Sequence, residues 1–173
     1  LERHFSNTGP PTVPLWANLG KSKRTELELA PSDYAASMDR LWKFCDVFVI
    51  NVSSPNTPNL RELQHDDALE SIVQACQKIN RKYADSTNSK PKPLLVKIAL
   101  DLNDVQLKSV VQTARDAGCD GIVATNTTIE RPSTYPANEE KVFSQTGGMS
   151  GSPLTTRSTS MIHKIYAMTD GKW

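Results

Sequence analysis

Val47-Phe48-Val49-Ile50-Asn51-Val52-Ser53-Ser54-Pro55-Asn56-Thr57 passes in one step from an apolar run of strand length to a cluster of amides, hydroxyls and turn formers. A continuous apolar run of this length fits a strand buried on both faces, as in a parallel sheet. Three further runs match it: Val13 to Gly20, Leu94 to Ile98, and Gly121 to Asn126. Between and after them, apolar residues recur at helical spacing. The stripes are Tyr34, Met38, Leu41, Trp42 and Cys45; Leu69, Ile72, Val73, Cys76, Ile79 and Tyr83; Leu107, Val110, Val111, Ala114 and Ala117; and Met161, Ile162, Ile165 and Met168. Strands alternating with helices are the βα signature. Gly118 and Gly171 fall where helices should end, Thr155 or Thr156 is expected to cap the last helix, and Asp85 to Lys92 reads as a surface loop. The connection from Thr127 to Pro153 is long enough to be functional or mobile.

A βα series closes either as a doubly wound open sheet or as an eight-fold barrel. The first would carry GxGxxG after its opening strand, and the cluster Gly147-Gly148-Met149-Ser150-Gly151 lies far from that position. Polar groups instead end several strands: Asn18, Asn51, Lys97, Thr125 and Asn126. In a barrel such ends converge on one face, where the loops build the site. A complete barrel takes ~250 residues and eight strands. The 173 residues are therefore predicted to be an α/β chain holding four βα units of a (β/α)8 TIM barrel, with two open sheet edges. A start without Met and an end at Trp173 agree with a piece of something longer.

Twenty Lys and Arg against nineteen Asp and Glu leave a net charge of +1, which argues against nucleic-acid binding by phosphate neutralisation. Mean hydropathy is −0.45, and no apolar run approaches the ~20 residues that span a bilayer. Cys45, Cys76 and Cys119 lack CxxC spacing and read as buried free thiols. His4, His65 and His163 have no metal-ligand spacing, so no metal is implied. Asn51-Val52-Ser53 and Asn126-Thr127-Thr128 match the glycosylation pattern by coincidence, since both fall at strand ends.

Lys97 stands out because an ammonium in an apolar strand is costly unless it meets an anion or a hydrogen-bonding ligand. It fits a snorkelling strand-end lysine, a Schiff-base lysine, or one facing an anionic cofactor ring. The loop after Asn51 reads either as a plain turn or as a holder of a planar polar substrate, because carboxamides donate and accept at once. Ser53 and Ser54 are candidate nucleophiles or bases, with no His/Asp partner nearby in sequence. Gly147 to Gly151 could cradle an anion through backbone N–H groups.

Taken together these segments resemble the class 2 dihydroorotate dehydrogenases, flavin enzymes of pyrimidine synthesis built on a (β/α)8 barrel. The resemblance rests on Ala17 to Lys21, Asn51 to Thr57 with Leu60-Arg61 and Leu63-Gln64, and Val96 to Ala99. It continues through Asp120-Gly121, Thr125 to Thr128, Arg131-Pro132 and Thr146 to Leu154. It implies that Ser54 is the base that removes the C5 proton of dihydroorotate while hydride passes from C6 to FMN, under a lid running from Pro55 onward. Asn51, Asn56, Asn126 and Thr127 would bind dihydroorotate or orotate. Asn18, Asn51, Lys97, Thr125, Ser150 and Gly151 would bind FMN, with Lys97 beside flavin N1 and O2. Quinone is the implied final electron acceptor, and a mitochondrial or bacterial inner membrane the implied location.

Residues 1–173 would form one partial flavin barrel domain, from about the third strand to the sixth helix, without the N-terminal membrane-docking helices or the C-terminal FMN-phosphate loops of the family. Departures from the pattern are Leu100 for a usual Pro, Asn59 for a frequent Gly, and the bulky Trp16. Two other readings remain: an inert half-barrel acting as an interaction module, and a class 1 enzyme or pyrimidine reductase. Ser54, where class 1 enzymes have Cys, counts against the latter.

Overall fold

The structure, a computed structural model, describes residues 12–57, 59–134 and 136–173. His4 and the lid residue Pro58 fall outside them. Four parallel strands alternate with four helices. These are β1 (Trp16–Leu19), α1 (Ala30–Leu41), β2 (Val47–Asn51), α2 (Asp66–Ser86), β3 (Leu94–Lys97), α3 (Asp104–Asp116), β4 (Gly121–Val123) and α4 (Thr155–Met168). All four sequence-predicted strands form; β2 keeps its expected bounds and the other three are trimmed. β4 keeps only three residues of the expected six.

The strands lie in the order β1-β2-β3-β4. Order matters, because parallel crossovers are right-handed and an unreversed series puts every helix on the same face. A doubly wound sheet needs a reversal to cover its second face. The register aligns Ala17 with Phe48 and Leu94, and Leu19 with Ile50, Val96 and Ile122. These alternate residues meet Tyr34, Met38, Leu69, Ile72 and Leu107 in one core. Phe48, Ile50, Leu94 and Val96 are fully buried there, each contributing ~1.5–3 kcal/mol of apolar transfer energy.

The other parity faces away from the helices. Trp16, Asn18, Val49, Asn51, Leu95, Lys97 and Val123 share it, and Trp16 is 55% exposed. In a closed barrel this is the inner face.

Local chemistry sets the ends. Asp46 and Asp120, each just before a strand, accept the backbone N–H of Leu15 (2.7 Å) and Leu94 (2.8 Å) at the start of the neighbouring strand. Asn103 and Gln106 form a reciprocal capping box on α3. Gly118, at φ +84°, ends that helix, and Asn59 adopts the left-handed conformation in the loop after β2.

Three expectations need correction. Thr155 and Thr156 do not cap α4. A 3-10 turn at Ser152–Leu154 runs straight into the helix, so Leu154 at the cap already has helical angles and no side-chain cap forms. Asp85 and Ser86 continue α2, so the exposed loop is Thr87 to Pro91, and Lys92 at its end is half-buried. Its ammonium reaches the carbonyls of Trp42 and Cys45 and sits 4.1 Å from the Trp42 ring. Finally, the Thr127 to Pro153 connection is not structureless. It holds a helical turn at Glu140–Phe143 and a Thr128–Met149 bridge.

Cys45, Cys76 and Cys119 are free and buried. Burial pushes Cys76 and Cys119 up to about 12, so both stay neutral thiols at physiological pH.

Candidate active site

The C-terminal ends of the strands bring distant polar residues together. Asn51 closes β2, and its backbone carbonyl accepts a hydrogen bond (2.8 Å) from the hydroxyl of Tyr34 on α1. Its side-chain Oδ1 turns back onto the chain, accepting from Ser53 N (3.2 Å), Ser53 Oγ (2.9 Å) and Asn126 Nδ2 (3.4 Å). Asn126, just beyond β4, also donates from Nδ2 to Ser53 Oγ (3.1 Å). Its own Oδ1 accepts from Thr127 N (2.9 Å) and Thr127 Oγ1 (3.4 Å). Three of the four sequence-predicted substrate residues, Asn51, Asn126 and Thr127, thus sit in one network. Asn56, the fourth, lies on the exposed loop after β2.

Gly148 is what lets the glycine segment close on this cluster. A Cβ there would lie 1.8 Å from Thr127 Oγ1 and 3.1 Å from Pro55 Cγ. At neighbouring Gly147, φ +111°, a Cβ would lie 3.4 Å from Asn56 Oδ1. The Met149–Thr128 backbone pair follows, and Ser150 and Gly151 continue from it exposed. Ser54 is half-buried next to Ser53, and its Oγ accepts from Asn56 N at 3.3 Å.

Lys97 ends β3 directly opposite Asn51 in the sheet register, half-buried on the helix-free face. Among the described residues its ammonium has no hydrogen bond or ion pair, unlike the ammonium of Lys21, which binds the carbonyls of Ser22 (3.0 Å) and Thr25 (2.6 Å). The lysine expected within an apolar strand is therefore at its open end. Asn18 lies on β1, aligned with Val49 and exposed on the same face. Thr125 follows a cis Ala124–Thr125 peptide bond. Among the described residues no side-chain hydrogen bond ties Asn18, Lys97 or Ser150 to the carboxamide network.

Sequence reasoning missed the residues beneath the site. Arg61 donates to the carbonyls of Ser53 (3.3 Å) and Thr127 (3.2 Å) and pairs with Asp101 at 2.6 Å. Asp101 also accepts from the Thr128 hydroxyl and from Ile129 N (3.1 Å). Burial pushes the Asp101 carboxyl up, but these hydrogen bonds and the Arg61 charge outweigh it and hold it below the usual carboxylate range. One hub therefore joins the loops after β2, β3 and β4. Arg131 organises the long connection, donating to the carbonyls of Phe143 (3.0 Å), Gln145 (3.1 Å) and Gly147 (2.8 Å). Local pattern gave no signal for Ser53 as a bridge or for the Arg61–Asp101 pair. Their partners lie up to 73 residues away.

A cavity of about 400 Å³ adjoins this hub, lined among others by Arg61, His65, Asp101 and Val105. Asn51, Asn126 and Lys97 do not line it. The chemistry gathers on the open strand ends instead.

A dihydroorotate dehydrogenase family model matches residues 3–172. A protein from Deinococcus deserti named dihydroorotate dehydrogenase (quinone) is 41% identical over 99% of this chain and 46% of its own length. Another of that name, from Synechococcus sp., is 44% identical over 92% of this chain and 43% of its length. A crystal structure of ligand-free dihydroorotate dehydrogenase from Eimeria tenella superposes with a TM-score of 0.81 at 36% identity, covering 97% of this chain and 48% of that one. A second, in complex with ferulenol, gives 0.80 at 37% identity over 90% of this chain and 43% of that one. The chain spans about half the length of the curated relatives it matches. The four βα units are thereby part of a (β/α)8 barrel. With the fold, the strand-end carboxamides and these likenesses in agreement, the chain belongs to the dihydroorotate dehydrogenase family.

Proposed function

We propose that the protein carrying this chain oxidises dihydroorotate to orotate in de novo pyrimidine synthesis, with FMN as cofactor and quinone as final electron acceptor. The observation that carries the reading is the Asn51–Ser53–Asn126 network beside the Ser54 hydroxyl, opposite an ammonium with no partner among the described residues. Carboxamide N–H groups held in this way match the carbonyl oxygens along the edge of a planar ring. The donor set also fits a flavin. An isolated ammonium suits a ring edge that becomes anionic on reduction. Lys97, Asn18, Asn51, Thr125, Ser150 and Gly151 would hold FMN, which supplies the acceptor for the hydride leaving C6.

The chain's own groups do the rest. Asn51, Asn56, Asn126 and Thr127 orient the pyrimidine. Ser54 Oγ takes the C5 proton while passing its own hydroxyl proton on to a relay, and because serine is a weak base at neutral pH, the loop from Pro55 must close over it and exclude bulk water. The Arg61–Asp101 hub keeps the three contributing loops in fixed relation. Residues 1–173 contribute the central part of the barrel, about its third strand to its sixth helix. Quinone reduction puts the whole protein at a membrane, the inner mitochondrial one in a eukaryote or the inner bacterial one, docked through an N-terminal segment.

The test is anaerobic. Dihydroorotate added to the flavin-loaded protein should bleach its yellow absorbance and yield orotate, and added quinone should restore the colour. Flavin that stays oxidised under dihydroorotate overturns the reading.

A further inference from the structure

We propose that Ser53 is the positioning residue that fixes which atoms of Asn51 and Asn126 face the ligand, leaving donors only. Carboxamide oxygen and nitrogen are easily interchanged, so the assignment has to come from groups that can act in one sense alone. Two such groups are present. Ser53 N–H can only donate, so the Asn51 atom it meets at 3.2 Å is the oxygen. Thr127 N–H can only donate, so the Asn126 atom it meets at 2.9 Å is the oxygen too.

The Ser53 hydroxyl then has one consistent orientation, donating to Asn51 Oδ1 and accepting from Asn126 Nδ2. It is fully buried, so no water competes for either bond. Both carboxamide oxygens are saturated by these contacts. Ser53 Oγ and Asn51 Oδ1 lie 2.9 Å apart and share one Asn126 Nδ2 proton, so among the described residues what remains open is Asn51 Nδ2 and the other proton of Asn126 Nδ2, joined by the ammonium of Lys97.

A donor-only edge recognises acceptors: ring carbonyl or carboxylate oxygens. Resting on the dihydroorotate reading, this assigns the carbonyl and carboxylate oxygens of the pyrimidine to Asn51 and Asn126, and sends its N–H groups elsewhere. It also explains adjacent serines with separate duties. Ser54 faces the reaction, whereas Ser53 points inward and acts only through the two asparagines.

The decisive experiment is nitrogen-15 NMR of the side-chain amides in the FMN-loaded protein, paired with calorimetric titration of orotate. In Ser53→Ala the residue-53 N–H survives, so the fold and the Asn51 anchor should persist. The Asn126 Nδ2 protons lose their 3.1 Å acceptor and should exchange with water about tenfold faster while backbone amides keep their protection. Orotate should bind about tenfold more weakly. In an Asn126→Ala background the same substitution should cost no more than about twofold further, because its partner is gone.

Unchanged Asn126 exchange in Ser53→Ala overturns the orienting role whatever orotate does. Equal losses in both backgrounds overturn it too, marking Ser53 as a generic packing residue. Failure of the unaltered protein to bind orotate overturns the proposed function and the assignment of the pyrimidine oxygens, while the exchange rates still decide the orientation.

Discussion

Replacing Asp101 by Asn removes the charge at the centre of the hub while keeping its shape. The carboxylate is 13% exposed, pairs with Arg61 at 2.6 Å, and accepts from Thr128 and from Ile129 N. Arg157 lies 3.6 Å away. Asn keeps one oxygen for Thr128 but loses the charge-assisted bonds, worth about 1.5–3 kcal/mol each. Its amide protons would also face Arg61 or Ile129 N–H. A loss of about 2–3 kcal/mol at pH 7 is expected.

The sign of the pH dependence follows from the depressed carboxyl pKa of the folded chain. Such a group contributes stability that is fully present above its unfolded value of about 3.9 and lost as pH falls through the folded one. The gap between the unaltered chain and Asp101→Asn should therefore hold steady from neutrality down to about pH 5 and close progressively below about pH 4. Urea denaturation across that range is the assay, because urea is uncharged and does not screen the pair. A gap that persists unchanged into acid, or widens there, refutes the reasoning.

Gly148→Ala puts a Cβ 1.8 Å from Thr127 Oγ1. The glycine segment must then back away, costing about 1–3 kcal/mol of stability and weakening orotate binding in a calorimetric titration. Gly20→Ala, with nothing within 4 Å of the new methyl, is the control that should change neither. Lys97→Met should lower the flavin retained through gel filtration, read as the ratio of flavin to protein absorbance. Equal retention would remove Lys97 from the cofactor's partners.

What the sequence made legible was whatever repeats locally. The apolar runs at Val47–Asn51 and Leu94–Lys97 became strands within a residue of expectation, because alternation between two covered faces leaves no other use for such runs. Helical stripes such as Leu69, Ile72, Val73 and Cys76 behaved likewise, all four being fully buried. Strand-end polar residues pointed to one working face for the same reason.

Three-dimensional pairing was not legible. Ser53 read as a candidate nucleophile or base alongside Ser54, not as a bridge, because its partner Asn126 arrives from beyond β4. Arg61 belonged to a motif without a visible task until the carbonyls of Ser53 and Thr127 came within its reach. The cap expected at Thr155 or Thr156 failed because the 3-10 turn before it had already started the helix. The long connection looked irregular because its order comes from one arginine bound to scattered carbonyls.

Rapid-mixing reduction of the flavin by dihydroorotate, in the unaltered protein and in Ser54→Ala, tests the central claim most directly. Removing a positioned base should slow reduction by about 10²–10⁴-fold, with flavin still bound and orotate affinity nearly unchanged. Reduction of Ser54→Ala at the unaltered rate would contradict it.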